Sequence, residues 1–121
     1  MTQPNIVSVA NIKGQTTGYA ITGTLAAGLT NNTRSTPDAV YKVNAVIVAN
    51  VSSSDADVDI AFYDHSDSTT NFYLAYTVTV PAKASLDLLN KSIYLEESDA
   101  LKFKASTGSA LEAVISYEII S

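Results

Sequence analysis

Residues 55–63 read DADVDIAFY, and this stretch decides the fold class. Apolar side chains take every second position, at Ala56, Val58, Ile60 and Phe62, and an Asp or Ala lies between them. Successive side chains of a β-strand point to opposite faces of the sheet. The period of two therefore predicts a strand with one apolar face and one solvated face.

Residues 72–80, 101–105 and 111–119 show the same period. In the first of these stretches, the apolar side chains that we expect to share one face are Phe72, Leu74, Tyr76, Val78 and Val80. Residues 41–51 are apolar on both faces, which predicts a central strand. Turn-forming clusters separate the strands at intervals of about 8–12 residues, as in a sandwich or barrel. These clusters are residues 52–55, 65–68, 81–83 and 107–109.

The chain has 121 residues, which is the size of one domain. Many short strands without crossover helices predict an all-β fold, an antiparallel β-sandwich of about eight strands. We take residues 1–121 as a single β-sandwich domain, with residues 1–15 as a candidate N-terminal arm. Short strands are expected at residues 6–12 and 16–25. Residues 26–38 are a polar connection, either an exposed functional loop or one that includes a strand near residues 28–32.

The composition excludes several classes of function. The chain has 12 acidic and 7 basic side chains, a net charge of −5 and no cysteine. Without cysteine there is no disulfide scaffold, thiolate zinc site or cysteine nucleophile. An acidic chain without a Lys/Arg cluster is unsuited to nucleic acid or an anionic membrane. We expect no secretory signal, because the first residues lack its basic and apolar regions, and no membrane-spanning segment.

Two acidic clusters have residues that could bind a metal, and both are better explained by structural roles. Asp55, Asp57 and Asp59 have the spacing of calcium ligands, but an EF-hand requires Gly and Glu where this chain has Ile60 and Ser66. A solvated strand face that discourages edge pairing explains them better.

His65 lies between Asp64 and Asp67 and could help to hold a cation, although a single histidine in a turn is usually a turn residue. No Gly-x-Ser-x-Gly elbow, P-loop or dinucleotide-binding motif is present. Glu96 and Glu97 are adjacent, so on a strand they would face opposite sides and make a poor acid–base pair. We therefore predict no catalytic residue, no metal, no cofactor and no enzymatic activity.

Four stretches together resemble a known group of proteins. They are residues 41–50 (YKVNAVIVAN), 80–89 (VPAKASLDLL), 92–101 (SIYLEESDAL) and 111–118 (LEAVISYE). In this order they resemble small virion structural proteins of tailed bacteriophages, particularly marine cyanophages. The group usually has Glu-Gly-Asp where this chain has Glu97-Ser98-Asp99, so we expect a different backbone conformation at that turn.

The resemblance implies a jelly-roll strand order and a non-enzymatic virion protein. A capsid decoration or cement protein is the expected role, made in the host cytoplasm and located on the particle surface. Its expected partners are itself, as a homotrimer, and the major capsid protein or other virion proteins. The alternatives are a neck, tail or fibre accessory protein, and a carbohydrate-binding module for host recognition that uses Tyr63, Tyr73 and residues 26–38.

Five residues are candidates for an interface between subunits. The chain has seven Tyr and no Trp, and Tyr63, Tyr73 and Tyr94 fall on or near faces that we predict to be solvated. Tyrosine anchors protein interfaces, whereas sugar-binding sandwiches usually rely on Trp platforms. Val114 and Ile120 are expected to share the outer face of the last strand, where a partner would cover them.

Overall fold

The computed structural model describes residues 11–31, 39–65 and 70–121, and these residues form nine β-strands. In chain order the strands are β1 (Ile12–Ala20), β2 (Ala26–Thr30), β3 (Val40–Asn50), β4 (Ala56–Asp64), β5 (Thr70–Val80), β6 (Ser85–Asp87), β7 (Ile93–Leu95), β8 (Ala100–Ala105) and β9 (Leu111–Ile120). The described part of the chain contains no helix capable of crossing a membrane. Of the candidate arm at residues 1–15, residues 12–15 belong to β1, and residues 1–10 lie outside the described residues.

The strands form two antiparallel sheets. One sheet has the order β1-β9-β3-β6, with β7 also paired to β3, and the other has the order β2-β8-β4-β5. Strands β6 and β7 pair with opposite ends of β3, so together they occupy one position in their sheet. With β6 and β7 counted as one, this is the strand order of an eight-stranded jelly roll. The prediction of an all-β antiparallel sandwich is confirmed.

The core lies between the sheets and is built from alternate residues of the long strands. The largest side chains that are fully buried there are Phe103, Ile21, Ile60, Leu95, Leu101, Leu111 and Ile115. Strand β3 is central, as predicted, because it pairs with β9 on one side and with β6 and β7 on the other. The register between β3 and β9 shifts at Asn44, so Val43 precedes the shift and Val46 and Val48 follow it, all three pointing into the core.

One buried side-chain amide ties the two sheets together at one end. Asn50 ends β3, and its Nδ2 donates to the carbonyl oxygen of Ser54 at 2.8 Å and to that of Val80 at 2.9 Å. Its Oδ1 accepts the backbone N–H of Ser52 at 2.9 Å. The polar atoms of this amide are therefore satisfied although the residue is buried, as a stable interior requires.

Residues 26–38 correct the bounds of one expectation. Of the two alternatives, the strand is present, but it lies at Ala26–Thr30 (β2), pairs with β8 and has a register shift between Ala27 and Leu29. Leu29 is buried in the core, and this burial favours a strand over an exposed loop. Residues 32–38, the rest of the candidate loop, lie outside the described residues.

The turn at Ser98 corrects a second expectation from the sequence. Ser98 has a φ of 70°, so the serine adopts the left-handed conformation that glycine favours, and the expected change of backbone is wrong. Hydrogen bonds hold it there, because Ser98 N donates to the Asn31 carbonyl at 2.8 Å and Asp99 N donates to that of Glu96 at 3.0 Å. The surrounding contacts therefore offset the cost of about 1 kcal/mol or more for a non-glycine residue in this region.

We expect Gly28→Ala to destabilise the protein by about 1–3 kcal/mol. A Cβ at Gly28 would lie 2.8 Å from ring carbons of both Phe103 and Tyr19, and Phe103 is fully buried and has no room to withdraw. Urea unfolding followed by circular dichroism measures the change. The matched control is Gly14→Ala, where a Cβ meets nothing within 4 Å. Equal stabilities for the two variants would contradict the close approach at Gly28.

Candidate functional site

Strand β5 forms one edge of its sheet and is unusual in composition. It pairs with β4, and within residues 11–31, 39–65 and 70–121 no strand pairs with its other side. It has 11 residues, TNFYLAYTVTV, of which none is charged. Long exposed edges normally carry Lys, other charges or Pro, which discourage association with another chain. An edge of this length without charge marks β5 as a candidate interaction surface.

Two extra residues in β5 change which side chains face the core. Val58 pairs with Val78, and Ala61 pairs with Tyr73, so four residues of β4 lie opposite six residues of β5. One register shift falls between Val58 and Ile60, and the next between Ile60 and Ala61. Each extra residue is a β-bulge that moves the following side chains to the opposite face.

The bulges overturn part of the predicted face of this strand. Val80 is buried and Val78 is half-buried, as the period of two predicts, but Phe72, Leu74 and Tyr76 are exposed. Ala75, predicted to be on the solvated side, is 7% exposed and belongs to the core. The prediction for Leu74, Ala75 and Tyr76 is wrong because it assumed an uninterrupted strand. The second bulge restores the alternation, so Phe72 pairs with Phe62 on the predicted face and its exposure is not caused by the bulges.

Asp59 holds the first bulge in place. Thr77 has a φ of 54°, which is an unfavourable conformation for a β-branched residue. Its backbone N–H donates to Asp59 Oδ1 at 2.6 Å. A hydrogen bond to a carboxylate is stronger than one between neutral groups and compensates for part of this strain.

Asp57 of β4 and Asp55, which precedes β4, also bind neighbouring residues. Asp57 Oδ1 accepts the hydroxyl of Thr79 at 2.7 Å, and Asp55 Oδ1 accepts the N–H of Ala82 at 3.0 Å. Opposite Asp59 on the other side of β4 lies Lys104 of β8. The three carboxylates therefore fix β5 and the turn after it against β4, in addition to solvating the face.

Exposed and half-buried apolar side chains form one continuous area, which we call the β5 surface. Its members are Phe62, Phe72, Tyr73, Leu74, Tyr76, Ile93 and Tyr94. All except Tyr76 line a groove of about 230 Å³. Ile93 and Tyr94 lie on β7, so the groove runs between the edges of the two sheets. Tyr76 is 67% exposed and packs edge-to-face on Tyr73, with their ring centroids 5.0 Å apart.

The size of the β5 surface is that of a functional patch. Four of its aromatic side chains and Leu74 are each roughly half exposed. Since an aromatic side chain has 150–250 Å² to bury, the exposed apolar area is about 500 Å². Patches of this size on a single subunit are often sites of interaction.

The five predicted interface residues do not lie together. Tyr73 and Tyr94 both line the groove. Tyr63 is half-buried, and Lys102 Nζ lies 4.1 Å from the centre of its ring, so one face of the ring is occupied by a cation–π contact. Val114 is 43% exposed on the outer face of the other sheet, where it is aligned with Gly18 of β1 and Ile47 of β3.

Ile120 is the clear correction among them. It is 6% exposed, so in the single subunit it offers a partner almost no surface, whereas Val114 is 43% exposed. It pairs with Ile12 of β1 and with Val40 of β3.

Sequence reasoning missed five members of the β5 surface, namely Phe62, Phe72, Leu74, Tyr76 and Ile93. Three of them were assigned to the buried face of β5, and the sequence has no glycine at the bulges that expose two of these three, Leu74 and Tyr76. One signal was available, because residues 70–80 contain no charge. A strand without charge on either face is unusual for an edge.

Among the titratable groups with shifted pKa values, Asp99 acts as a structural acceptor. Burial raises the pKa of Asp99, while its two oxygens accept the N–H groups of His65 and Glu96, each at 3.0 Å. Burial, and then repulsion from Asp99 and Asp64, raises the pKa of Glu96. Within the described residues no group of three or more His, Asp or Glu side chains could hold a metal ion. Asp67, part of the cation hypothesis for His65, lies outside the described residues.

Comparison with known proteins finds a similar fold in a solved structure. The sequence matches no protein-family model and no curated protein. The fold is similar to that of a solved chain described as a Bacillus endospore appendage, from a family of disulfide-linked pili. The TM-score is 0.51 at 17% sequence identity, over 91% of this chain and 85% of that chain. This similarity concerns the fold, and this chain has no cysteine.

We expect Asp59→Ala to destabilise the protein by about 1–2 kcal/mol, because the Thr77 N–H loses its charged acceptor while Thr77 keeps its strained φ. Asp59→Asn retains an oxygen at the same place and should lower the free energy of unfolding by less than half as much. Urea unfolding measures both changes. If Asp59→Ala is as stable as the wild type, the carboxylate does not support the bulge.

Proposed function

We propose that this chain is a non-enzymatic structural subunit of a tailed bacteriophage particle, and that it decorates the capsid and stabilises the shell through contacts between subunits. The observation that carries the proposal is the β5 surface, an uncharged apolar area of about 500 Å² on the outside of the sandwich. Exposure of such a surface to water is unfavourable, and burial of it against another protein subunit is favourable.

The virion assignment has support from the sequence and from the fold. The stretches 41–50, 80–89, 92–101 and 111–118, which resemble phage virion proteins, form β3, the turn and strand at β6, the region around β7 and the strand β9. The jelly-roll order that the resemblance implies is the order of the strands. Capsid proteins are among the proteins that use this fold, although fold alone does not define a function.

The arrangement of polar groups also favours a structural role over catalysis. The buried carboxylate of Asp99 is fully engaged with backbone N–H groups, and Asp55, Asp57 and Asp59 are each bonded to β5 or to the turn that follows it. These groups hold strands together, whereas catalysis needs a poised group within reach of a substrate.

The proposed partners are other copies of the chain, as a homotrimer, and the major capsid protein. The surfaces available for them are the β5 surface and the outer face of the other sheet around Val114 and Ile47. The chain would be made in the host cytoplasm and reside on the particle surface.

A fibre or appendage subunit is the second candidate, and the fold shared with a pilus subunit favours it. Because this chain has no cysteine, its copies would have to be joined without disulfides. A sugar-binding role is less favoured, since Lys102 covers one face of the Tyr63 ring that would stack on a sugar.

We expect immunogold labelling to place this chain over the shell of phage particles from a culture that produces it. Quantitative mass spectrometry of the purified particles should give on the order of hundreds of copies, as closed symmetric assemblies of a decorated shell require. Labelling confined to the tail or to free filaments would favour the second candidate. Absence of the chain from purified particles would contradict the virion assignment.

A further inference from the structure

We infer that the β5 surface is a contact between two copies of this chain, in which the Tyr76 ring of each copy enters the groove of the other. This inference deepens the proposed structural role and names the surface that would serve it. Three observations carry it: the area, the shape and the charge of the β5 surface.

The area is sufficient for a specific contact between two small subunits. About 500 Å² of apolar surface on each copy gives about 1,000 Å² for the pair, before the surrounding backbone and polar rim are counted. A specific interface needs about that much.

The shape of the β5 surface is self-complementary. Tyr76 is the most exposed of the large hydrophobic side chains in the described residues, and it stands beside the groove in contact with Tyr73. The groove has about 230 Å³ and is lined mostly by aromatic and aliphatic side chains. An apolar cavity of roughly 150 Å³ accepts benzene, so this groove has room for one tyrosine ring. A two-fold axis beside β5 would bring each ring to the other copy's groove, as an isologous contact requires.

The charge favours a second copy at this place. Each copy carries a net charge of −5, so two copies repel one another over most approaches. Strand β5 has no charged residue, so two copies can meet there without bringing carboxylates of that strand together. Added salt should therefore strengthen the contact, whereas it would weaken binding to a basic partner.

The bulges explain why the contact uses side chains and does not extend the sheet. Two extra residues in β5 interrupt the regular spacing of its backbone groups, which disfavours pairing along the whole edge. The same bulges point Leu74 and Tyr76 outward. This two-fold contact is also distinct from a three-fold contact, which a homotrimer would make through another surface.

Sedimentation velocity of the purified chain tests the inference. We expect a monomer–dimer equilibrium with a dissociation constant below about 200 µM. It should become tighter between about 0.05 and 0.5 M NaCl, as screening removes the repulsion. Tyr76→Lys should weaken it at least tenfold, Leu74→Lys should do the same by placing a charge in the groove, and Tyr76→Phe should retain it.

The control is Ile12→Lys, which places the same charge on an exposed position of β1, at the far edge of the other sheet, and should leave the dimer unchanged. Circular dichroism should show that all four variants remain folded. The inference is overturned if the wild-type chain stays monomeric at about 200 µM in high salt, or if Tyr76→Lys associates as the wild type does. Neither result bears on whether the chain is present in phage particles, so imaging of particles tests the proposed function separately.

Discussion

The hydrogen bond between the Asp59 carboxylate and the Thr77 N–H is the interaction on which the outer surface of this protein depends. It holds Thr77 at a φ of 54° and so stabilises the first of two bulges in β5. Without bulges, Leu74 and Tyr76 would face the core and Ala75 would face water. With the bulges, the small side chain of Ala75 lies in the core, and the large apolar side chains of Leu74 and Tyr76 lie outside it.

The jelly-roll order then determines which side chains of the other sheet lie beside Leu74 and the rest of β5. It places β5 at the edge of one sheet, and it places β7 beside β3 in the other. The groove between these edges is lined by residues of both sheets, so neither sheet alone could form it. The surface is therefore a product of the complete sandwich.

Much of the fold could be predicted from local pattern. In β4, β8 and β9 most buried residues follow the period of two, because each strand has one face against the core. Strand β3 could be recognised as central from its apolar run. The jelly-roll order came from resemblance to virion proteins, since strand order depends on contacts far apart in sequence.

The candidate surface could be predicted only in part, and the reasons are physical. Tyr73 and Tyr94 were found because tyrosine at a predicted solvated position is conspicuous. Leu74 and Tyr76 were missed because the sequence at Thr77 does not indicate the left-handed conformation that a glycine would suggest. Ile120 was expected to be exposed but is buried, and the residues that pair with it, Ile12 and Val40, lie far away in the sequence.

Thiol labelling of single-cysteine variants measures the orientation of β5 most directly. The chain has no cysteine, so Leu74→Cys and Ala75→Cys each create a unique thiol. In dilute native protein, the thiol at position 74 should react at close to the rate of an unfolded control, and the thiol at position 75 should be strongly protected. The reverse order, with position 74 protected and position 75 reactive, would mean that β5 is an unbulged strand and that the β5 surface does not exist.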